Sequence, residues 1–368
     1  MSPILDNILH NGGGVATSGE FAADSLVLNS DATETGEDWK YELARPTSGM
    51  AGNMTLTLPA TGGGQGEVLS AGAGNGALVW LPSYTQNLLI NGGMDWWQRT
   101  TDDSAVTATR KYVADRWAVQ TGAETLAHVQ RTSVVPSGSR ARYSMQFDGA
   151  TGVTTVDVDQ RIEAGNTVGL STVTFSAKIY NGSGDAFTPL LFVSTPTSTE
   201  DGWSGGSAIQ NNPSGDPLQA CADSAWTTVT WTADVSGYDN PNYGLEFRLR
   251  IPSGSLVSGD TVRITECQLE RGGIATPFMR AGVTIGAELA LCQRYLHKRV
   301  AEHPYGGLAP GFLHNSTNGR AIFCQLPVTM RSAPAVSYSG TIVLNLSTGN
   351  YYVSAASAVH MGKNGGFV

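Results

Sequence analysis

The sequence predicts an all-β protein: a β-sandwich of jelly-roll type behind a short strand-bearing stem, then one short helix and a small C-terminal β region. Three observations carry that prediction. Glycine supplies 45 of 368 residues, well above the roughly 7% of average soluble chains, and Ser, Thr and Asn crowd the same stretches, a mixture that makes turns. Charged residues are only 14% of the chain, against about 25% ordinarily, which excludes a coiled coil. Apolar and polar residues alternate with period two through the middle of the chain, whereas a 3.6-residue period occurs once.

Taken in order, residues 1–24 carry two apolar pairs, Ile4-Leu5 and Ile8-Leu9, before the Gly12-Gly13-Gly14 break. An adhesive segment followed by a hinge is the form of a docking peptide. Residues 25–86 alternate at Leu26/Leu28 and Leu56/Leu58, each run ended by Gly, Asn or Pro. So few large apolar groups cannot close a core of their own, so this segment needs neighbours, and identical copies are the most economical ones.

Residues 87–282 read as the sandwich. Alternation recurs at Tyr143/Met145/Phe147, Val156/Val158/Gln160/Ile162, Val173/Phe175/Ala177/Ile179 and Leu245/Phe247/Leu249/Ile251. In the last of these Glu246, Arg248 and Arg250 face the other way, as in a half-solvated antiparallel strand. Trp226–Trp231 and Thr261–Glu266 add strands, and turn clusters such as Asn181-Gly-Ser-Gly separate them. Residues 283–299 hold the single helical pattern, Ile285, Leu289, Cys292 and Leu296. Residues 300–368 return to β character around Ala321–Gln325 and Ile342–Leu346.

The formal net charge is −9 with Lys and Arg scattered singly, so the basic stripe that nucleic acid requires is missing. No apolar run approaches the ~20 residues of a membrane span, so membrane insertion is not expected. Cys221, Cys267, Cys292 and Cys324 show no C-x-x-C spacing and read as buried, reduced thiols.

Catalytic patterns fail on context. Gly202-Trp-Ser-Gly-Gly206 matches a hydrolase elbow, but Ser204 is followed by Ser207–Pro213, which is no helix. Gly72–Ala77 fits a loose dinucleotide fingerprint but leads into the strand Leu78-Val-Trp80. The six histidines have no zinc spacing, and no local acid pair proposes glycosidase chemistry. The expectation is a non-enzyme without cofactor or metal. For saccharide, aromatic faces beside amides and carboxylates are what recognition needs. Two loops have that mixture, one at Trp203 and the other at Tyr238, Asp239 and Tyr243.

Two resemblances add to this. Leu56-Thr-Leu-Pro-Ala60, Gly66-Glu-Val-Leu69 and Gly74–Trp80 resemble the interwoven stem unit of trimeric bacteriophage fibres. Residues 87–300 resemble a family of phage tail-fibre modules with a carbohydrate-binding-type jelly roll. The residues that carry it are Asn87–Arg99, Tyr112-Val-Ala-Asp-Arg-Trp117, Gln160–Glu163, Val173–Lys178, Gly205-Gly-Ser207, Gln268–Phe278 and Glu288–Tyr295. The resemblance implies a homotrimeric virion fibre, assembled in the host cytoplasm. Its N-terminus would dock to tail or baseplate proteins, its sandwich would meet host-surface glycan, and another fibre protein could sit at its C-terminus. An architectural spacer, collar or head fibre, and a polysaccharide depolymerase, are the alternatives. Asp95, Trp96, Arg99, Asp115, Arg116, Trp117, Gln268 and Glu270 read as structural, with ion pairs and large anchors fixing where the chain enters and leaves the sandwich.

Overall fold

A computed structural model describes residues 25–29, 40–44, 59–60, 67–71, 78–82, 86–196, 198–203, 207–211, 218–236, 241–252, 254–300, 311–313, 319–321, 324–337, 342–346, 349–353 and 360–367. The chain divides into two units, Met1–Gln65 with Leu69–Trp80, and Gly66–Val68 with Leu81–Val368. Among the described residues, four strands precede the sandwich. β1 (Ser25–Asn29) pairs antiparallel with β2 (Lys40–Ala44), Leu26 opposite Leu43 and Leu28 opposite Tyr41. β3 (Glu67–Ala71) pairs with β4 (Leu78–Pro82).

Among the described residues twelve strands then build the sandwich. They are β5 (Asp102–Asp103), β6 (Lys111–Tyr112), β7 (Ala118–Thr121), β8 (His128–Thr132), β9 (Ser144–Asp148), β10 (Val156–Ile162), β11 (Thr172–Gly182), β12 (Leu190–Pro196), β13 (Ser207–Asn211), β14 (Ala225–Asp234), β15 (Leu245–Ile251) and β16 (Thr261–Arg271). The front sheet runs β13-β12-β15-β10-β7-β6 and the back sheet β14-β11-β16-β9-β8-β5, all pairs antiparallel.

The core lies between them because each strand turns one parity of its side chains inward. Val156, Val158 and Ile162 from β10 and Leu245, Phe247 and Leu249 from β15 meet Val173, Phe175 and Ile179 from β11. Phe175 stacks on Phe247 across the sheets with ring centroids 4.2 Å apart. In β16 the buried parity changes from Val262 and Ile264 to Cys267 and Leu269. Glu266 absorbs the extra residue at φ 52, opposite a register shift between Ser176 and Lys178, as a β-bulge does.

Buried amides lock the chain where it enters and leaves. Asn87 accepts from Leu89 and Leu269 N–H groups and donates to the Cys267 and Met279 carbonyls. Gln160, inward-facing and fully buried, both accepts from and donates to the Ile90 backbone. Gly92 passes so close to β16 that an added Cβ would lie 2.0 Å from the Cys267 carbonyl oxygen.

The helix α1 (Ile285–Gln293) is capped by Thr284, whose hydroxyl accepts from Ala287 N–H at 3.2 Å. It is not seated as the apolar spacing suggested. Ile285 is exposed, and the buried helix residues are Glu288 and Cys292. The Glu288 carboxyl group accepts from the Asn91 and Gly282 N–H groups, so a polar side chain satisfying backbone donors is buried beside Cys292 of the apolar stripe. Cys292 packs with Ile90 and Ala281. Beyond the helix lie β17 (Gly311–Leu313), β18 (Gly319–Ala321), β19 (Cys324–Gln325), β20 (Ile342–Leu346), β21 (Gly349–Val353), β22 (His360–Gly362) and β23 (Gly365–Phe367). They form two hairpins, β17-β18 and β20-β21, and a three-stranded sheet ordered β19-β23-β22.

Candidate functional site

The outer face of the front sheet is charged. Along β10 the outward residues are Asp157, Asp159 and Arg161, and along β15 they are Glu246, Arg248 and Arg250. Antiparallel register sets Asp157 opposite Arg250, Asp159 opposite Arg248 and Arg161 opposite Glu246. Every facing pair is therefore of opposite sign, the favourable cross-strand arrangement. Arg250 grips Asp157 with Nε at 2.6 Å and Nη2 at 2.8 Å. Arg161 Nε donates to Glu246 at 2.7 Å, and Arg248 donates to the other Glu246 oxygen at 2.6 Å.

Asp159 is bound differently. Its β7 neighbour is Ala118, and that small residue leaves room for Arg110 to reach across. Arg110 places both Nε, at 2.7 Å, and Nη2 on the same oxygen, Oδ1. Oδ2 is buried without a partner, and so is Nε of Arg248 in the facing position. Burial pushes the Asp159 carboxyl up to about 6, against the pull of Arg110. Burial lowers Arg110, but the attraction and hydrogen bonding of Asp159 and Tyr112 together outweigh it, and its pKa is raised. The two directions agree once solvation is counted: the fully buried carboxylate loses more water than one guanidinium replaces.

Aromatic rings border this ladder, each with a guanidinium over it. Arg250 lies 4.7 Å from the Phe192 centroid, Arg110 4.7 Å from Tyr112, and Arg161 4.8 Å from Trp203. One cross-sheet row runs from Asn211 on β13 through Phe192 on β12, Arg248, Asp159 and Ala118 to Tyr112 on β6, with the segment Phe192–Arg248–Asp159–Ala118–Tyr112 spanning the ladder. Four inter-strand spacings make that segment about 19 Å long.

Of the residues singled out from sequence, Trp203 is half-buried with Arg161 over its ring. Tyr243 ends a 3-10 turn, Pro241–Tyr243, and its carbonyl accepts from Asp201 N–H at 2.7 Å, which draws the two loops together. Tyr238 and Asp239 lie outside the described residues, as do Ile4, Leu5, Ile8 and Leu9. Asp95 pairs with Arg280 at 2.8 Å. Trp96 is half-buried, and its ring N–H is buried without a partner. Trp117 is buried and donates to the Asn91 carbonyl. Gln268 bonds Thr276 and Met279. Glu270 accepts from the Thr276 hydroxyl and N–H rather than from a cation. Asp115 makes a 3.9 Å contact with Arg99 and accepts from Gln98. Arg116 stacks on Tyr295 at 3.5 Å and donates to the Arg161 carbonyl.

The sequence reading treated Glu246, Arg248 and Arg250 as a half-solvated face, named Arg161 only inside the Gln160–Glu163 stretch, and did not single out Asp157 or Asp159. The signal was present, since D-x-D-x-R and E-x-R-x-R are dense runs in a chain with 14% charged residues. Only the pairing of β10 with β15 turns them into one array. Both ring nitrogens of His297 are buried without a partner. Among the described residues no cluster of His, Cys, Asp and Glu could hold a metal ion.

No family model matches the chain, and no curated protein matches it. Solved structures similar to it include the CBM22-1 xylan-binding domain from Paenibacillus barcinonensis Xyn10C, at 12% identity and TM-score 0.31, covering 47% of this chain and 100% of that one. A CBM4 structure shares 14% identity over 50% of this chain and 98% of that one, at TM-score 0.30. The enzymatically active domain of bacteriophage CBA120 tailspike protein 4 shares 13% identity at TM-score 0.30, over 50% of this chain. The chain spans about a fifth of that tailspike domain, 21%.

Proposed function

We propose that the outer face of the front sheet binds saccharide, and that the chain presents this face as a trimeric tail fibre attaching a virion to its host. The observation that carries the reading is the unspent hydrogen-bonding capacity at the centre of the ladder. An acceptor, Asp159 Oδ2, and a donor, Arg248 Nε, stand in facing positions with no protein partner. Leaving each bare costs about 1–3 kcal/mol. A sugar hydroxyl is both donor and acceptor and satisfies the two together. Access requires the covering arginines, whose side chains are about a fifth exposed at Arg110 and Arg248, to swing aside. Because guanidinium groups already cover the bordering rings, recognition rests on the polar ladder more than on stacking. Affinity per site would be modest, and three sites on one fibre would raise it through effective concentration.

The test is calorimetric titration of the full chain with neutral β-linked oligosaccharides such as cellohexaose and xylohexaose, together with a glycan array. Saturable binding, weakened about tenfold or more in Arg248→Met, is the expected result. Silence across the array overturns saccharide binding. Light scattering tests the fibre reading, for which a mass of about three chains is expected and a monomer refutes it.

A further inference from the structure

Beside the ladder lies a second feature that the hydroxyl site does not use. A cavity of about 150 Å³ is lined by Arg99, Tyr112, Asp115, Arg116, Tyr295 and Arg331, among others. Three guanidinium groups thus face one carboxylate. That carboxylate is already engaged, since both Asp115 oxygens accept from Gln98, at 3.1 and 2.7 Å.

The cations are less well satisfied. Arg99 is a third exposed, contacts Asp115 only at 3.9 Å, and lies 5.4 Å from the Tyr112 ring centroid. Arg331 is paired with Asp201 at 3.2 Å and Glu163 at 3.5 Å. Arg116 is the unusual member. It is buried, its Nε has no partner, and it forms no ion pair with any described carboxylate. It touches the Tyr295 ring and the Arg161 carbonyl, and the nearby Glu163 attracts it without pairing with it, being held instead by Arg294, Arg331 and the Tyr295 hydroxyl. A buried cation without a directly paired counter-ion is costly unless something else supplies that contact.

The backbone adds a second, independent observation. Arg116 sits at φ 73, a left-handed conformation that is strained for a residue with a side chain. The β6–β7 turn holds it there through Trp117 N–H to the Ala114 carbonyl and Val113 N–H to the Trp117 carbonyl, both 3.0 Å. Strain held in place by its surroundings is characteristic of ligand clamps.

From the cavity, its three guanidinium groups and the unpaired Arg116, we infer that this is a carboxylate subsite, and that the saccharide recognised is acidic, a uronic acid or another carboxylated sugar. This rests on the saccharide reading of the neighbouring face, because the two sites are joined. Tyr112 lines the cavity and also carries Arg110, the partner of Asp159. Two inter-strand spacings, about 10 Å, separate the Asp159 and Tyr112 positions, so a ligand hydroxyl on the ladder and a carboxylate in the cavity belong to one oligosaccharide. Guanidinium matches carboxylate with paired, charge-assisted hydrogen bonds, and a sugar carboxylate would supply Arg116 with the direct ion pair it lacks.

The experiment compares an oligogalacturonate with its carboxyl-reduced, neutral derivative on the full-length chain. The acidic form is expected to bind at least about tenfold tighter. That preference should shrink as salt rises from about 0.1 to about 1 M, which shortens the Debye length from about 10 to about 3 Å. Arg99→Gln, at a partly exposed position that does not threaten folding, should collapse the ratio toward one. Arg116→Gln should do the same where thermal melting shows it folded. Equal binding of the two forms overturns the carboxylate subsite and leaves the ladder reading standing. A second measurement separates the opposite case. Free glucuronate, but not glucose, should shift the Arg116 Nε–Hε resonance even in Arg248→Met, and an unmoved resonance overturns the inference whatever the face binds.

Discussion

Replacing Asp159 by Asn isolates the energetic consequence of burying a carboxylate at the centre of the ladder. In the fold its pKa rises from 3.8 to about 6, first because burial removes water from the charged form, with Arg110 only partly compensating. Between those two values the native state holds a proton that the unfolded chain releases. The contribution of this group is therefore fully present below about pH 4 and is lost as pH rises through about 6. Two pKa units at about 1.4 kcal/mol each give about 3 kcal/mol. Other acids move the opposite way, since Glu163 and Glu266 are held low by their hydrogen bonds and cations despite burial. The raw stability profile of the protein therefore mixes signs.

The difference between wild type and Asp159→Asn cancels those groups. Urea unfolding at about pH 7 and about pH 4 should show the wild type gaining about 2–3 kcal/mol relative to the variant on acidification. A flat difference, or a wild type that loses ground in acid, refutes the reasoning. The second outcome would mean that Arg110 outweighs desolvation and that Asp159 is an ordinary ion-pair carboxylate. Ligand binding has the reverse sign. A hydroxyl donating to Oδ2 needs the ionised form, so saccharide affinity should fall as pH drops through about 6.

Further predictions follow from the packing. Trp117→Ala removes a fully buried ring and the bond from its ring N–H to the Asn91 carbonyl, and should cost about 3–5 kcal/mol in urea unfolding. Thr284→Ala deletes the α1 cap and should cost about 1 kcal/mol, read as a small loss in thermal midpoint. Gly92→Ala drives a methyl into the Cys267 carbonyl, a backbone-on-backbone clash, and should abolish soluble expression or cost several kcal/mol. Burial pushes the Cys221 thiol up to about 11 and raises Cys267 and Cys292 still further. Iodoacetamide at about pH 8 should therefore leave these three unmodified in the native protein, as mass spectrometry would show, and alkylate them once it is unfolded.

The sandwich was legible because it is written in parity. Val173, Phe175 and Ile179 alternate in sequence, and the same three side chains fill the core. Parity failed where a bulge intervened, since no rule of two tells that Glu266 takes φ 52 and shifts Cys267 inward. It failed in part at α1, where Cys292 of the expected apolar face is buried but Ile285 is exposed and the polar Glu288 is buried beside it. A polar residue that satisfies backbone N–H groups looks, in sequence, like any exposed Glu. The candidate site was legible only in fragments for a related reason. Its charges belong to strands 93 residues apart at Asp157 and Arg250, and their meaning lies in a register that only the folded sheet fixes.

The turn at Tyr112–Trp117 shows why structural and binding roles should not be divided residue by residue. Trp117 fills the core, Asp115 and Arg116 line the cavity, and Tyr112 joins the cavity to the ladder. Within that turn Arg116 occupies a left-handed position that glycine would adopt without strain. The chain has 45 glycines and places several at positive φ where only geometry is needed, Gly138, Gly184 and Gly254 among them, with nothing near the missing Cβ. An arginine kept at φ 73, buried and short of a directly paired counter-ion, costs stability twice, through backbone strain and through desolvation. If its role were only to shape the turn, Arg116→Gly would relieve both and raise stability. If its role is to meet an anion, the same change should raise the melting temperature and remove the preference for acidic saccharide. The two readings thus agree on stability and part on binding, which makes that one variant, assayed both ways, the decisive comparison for this corner of the fold.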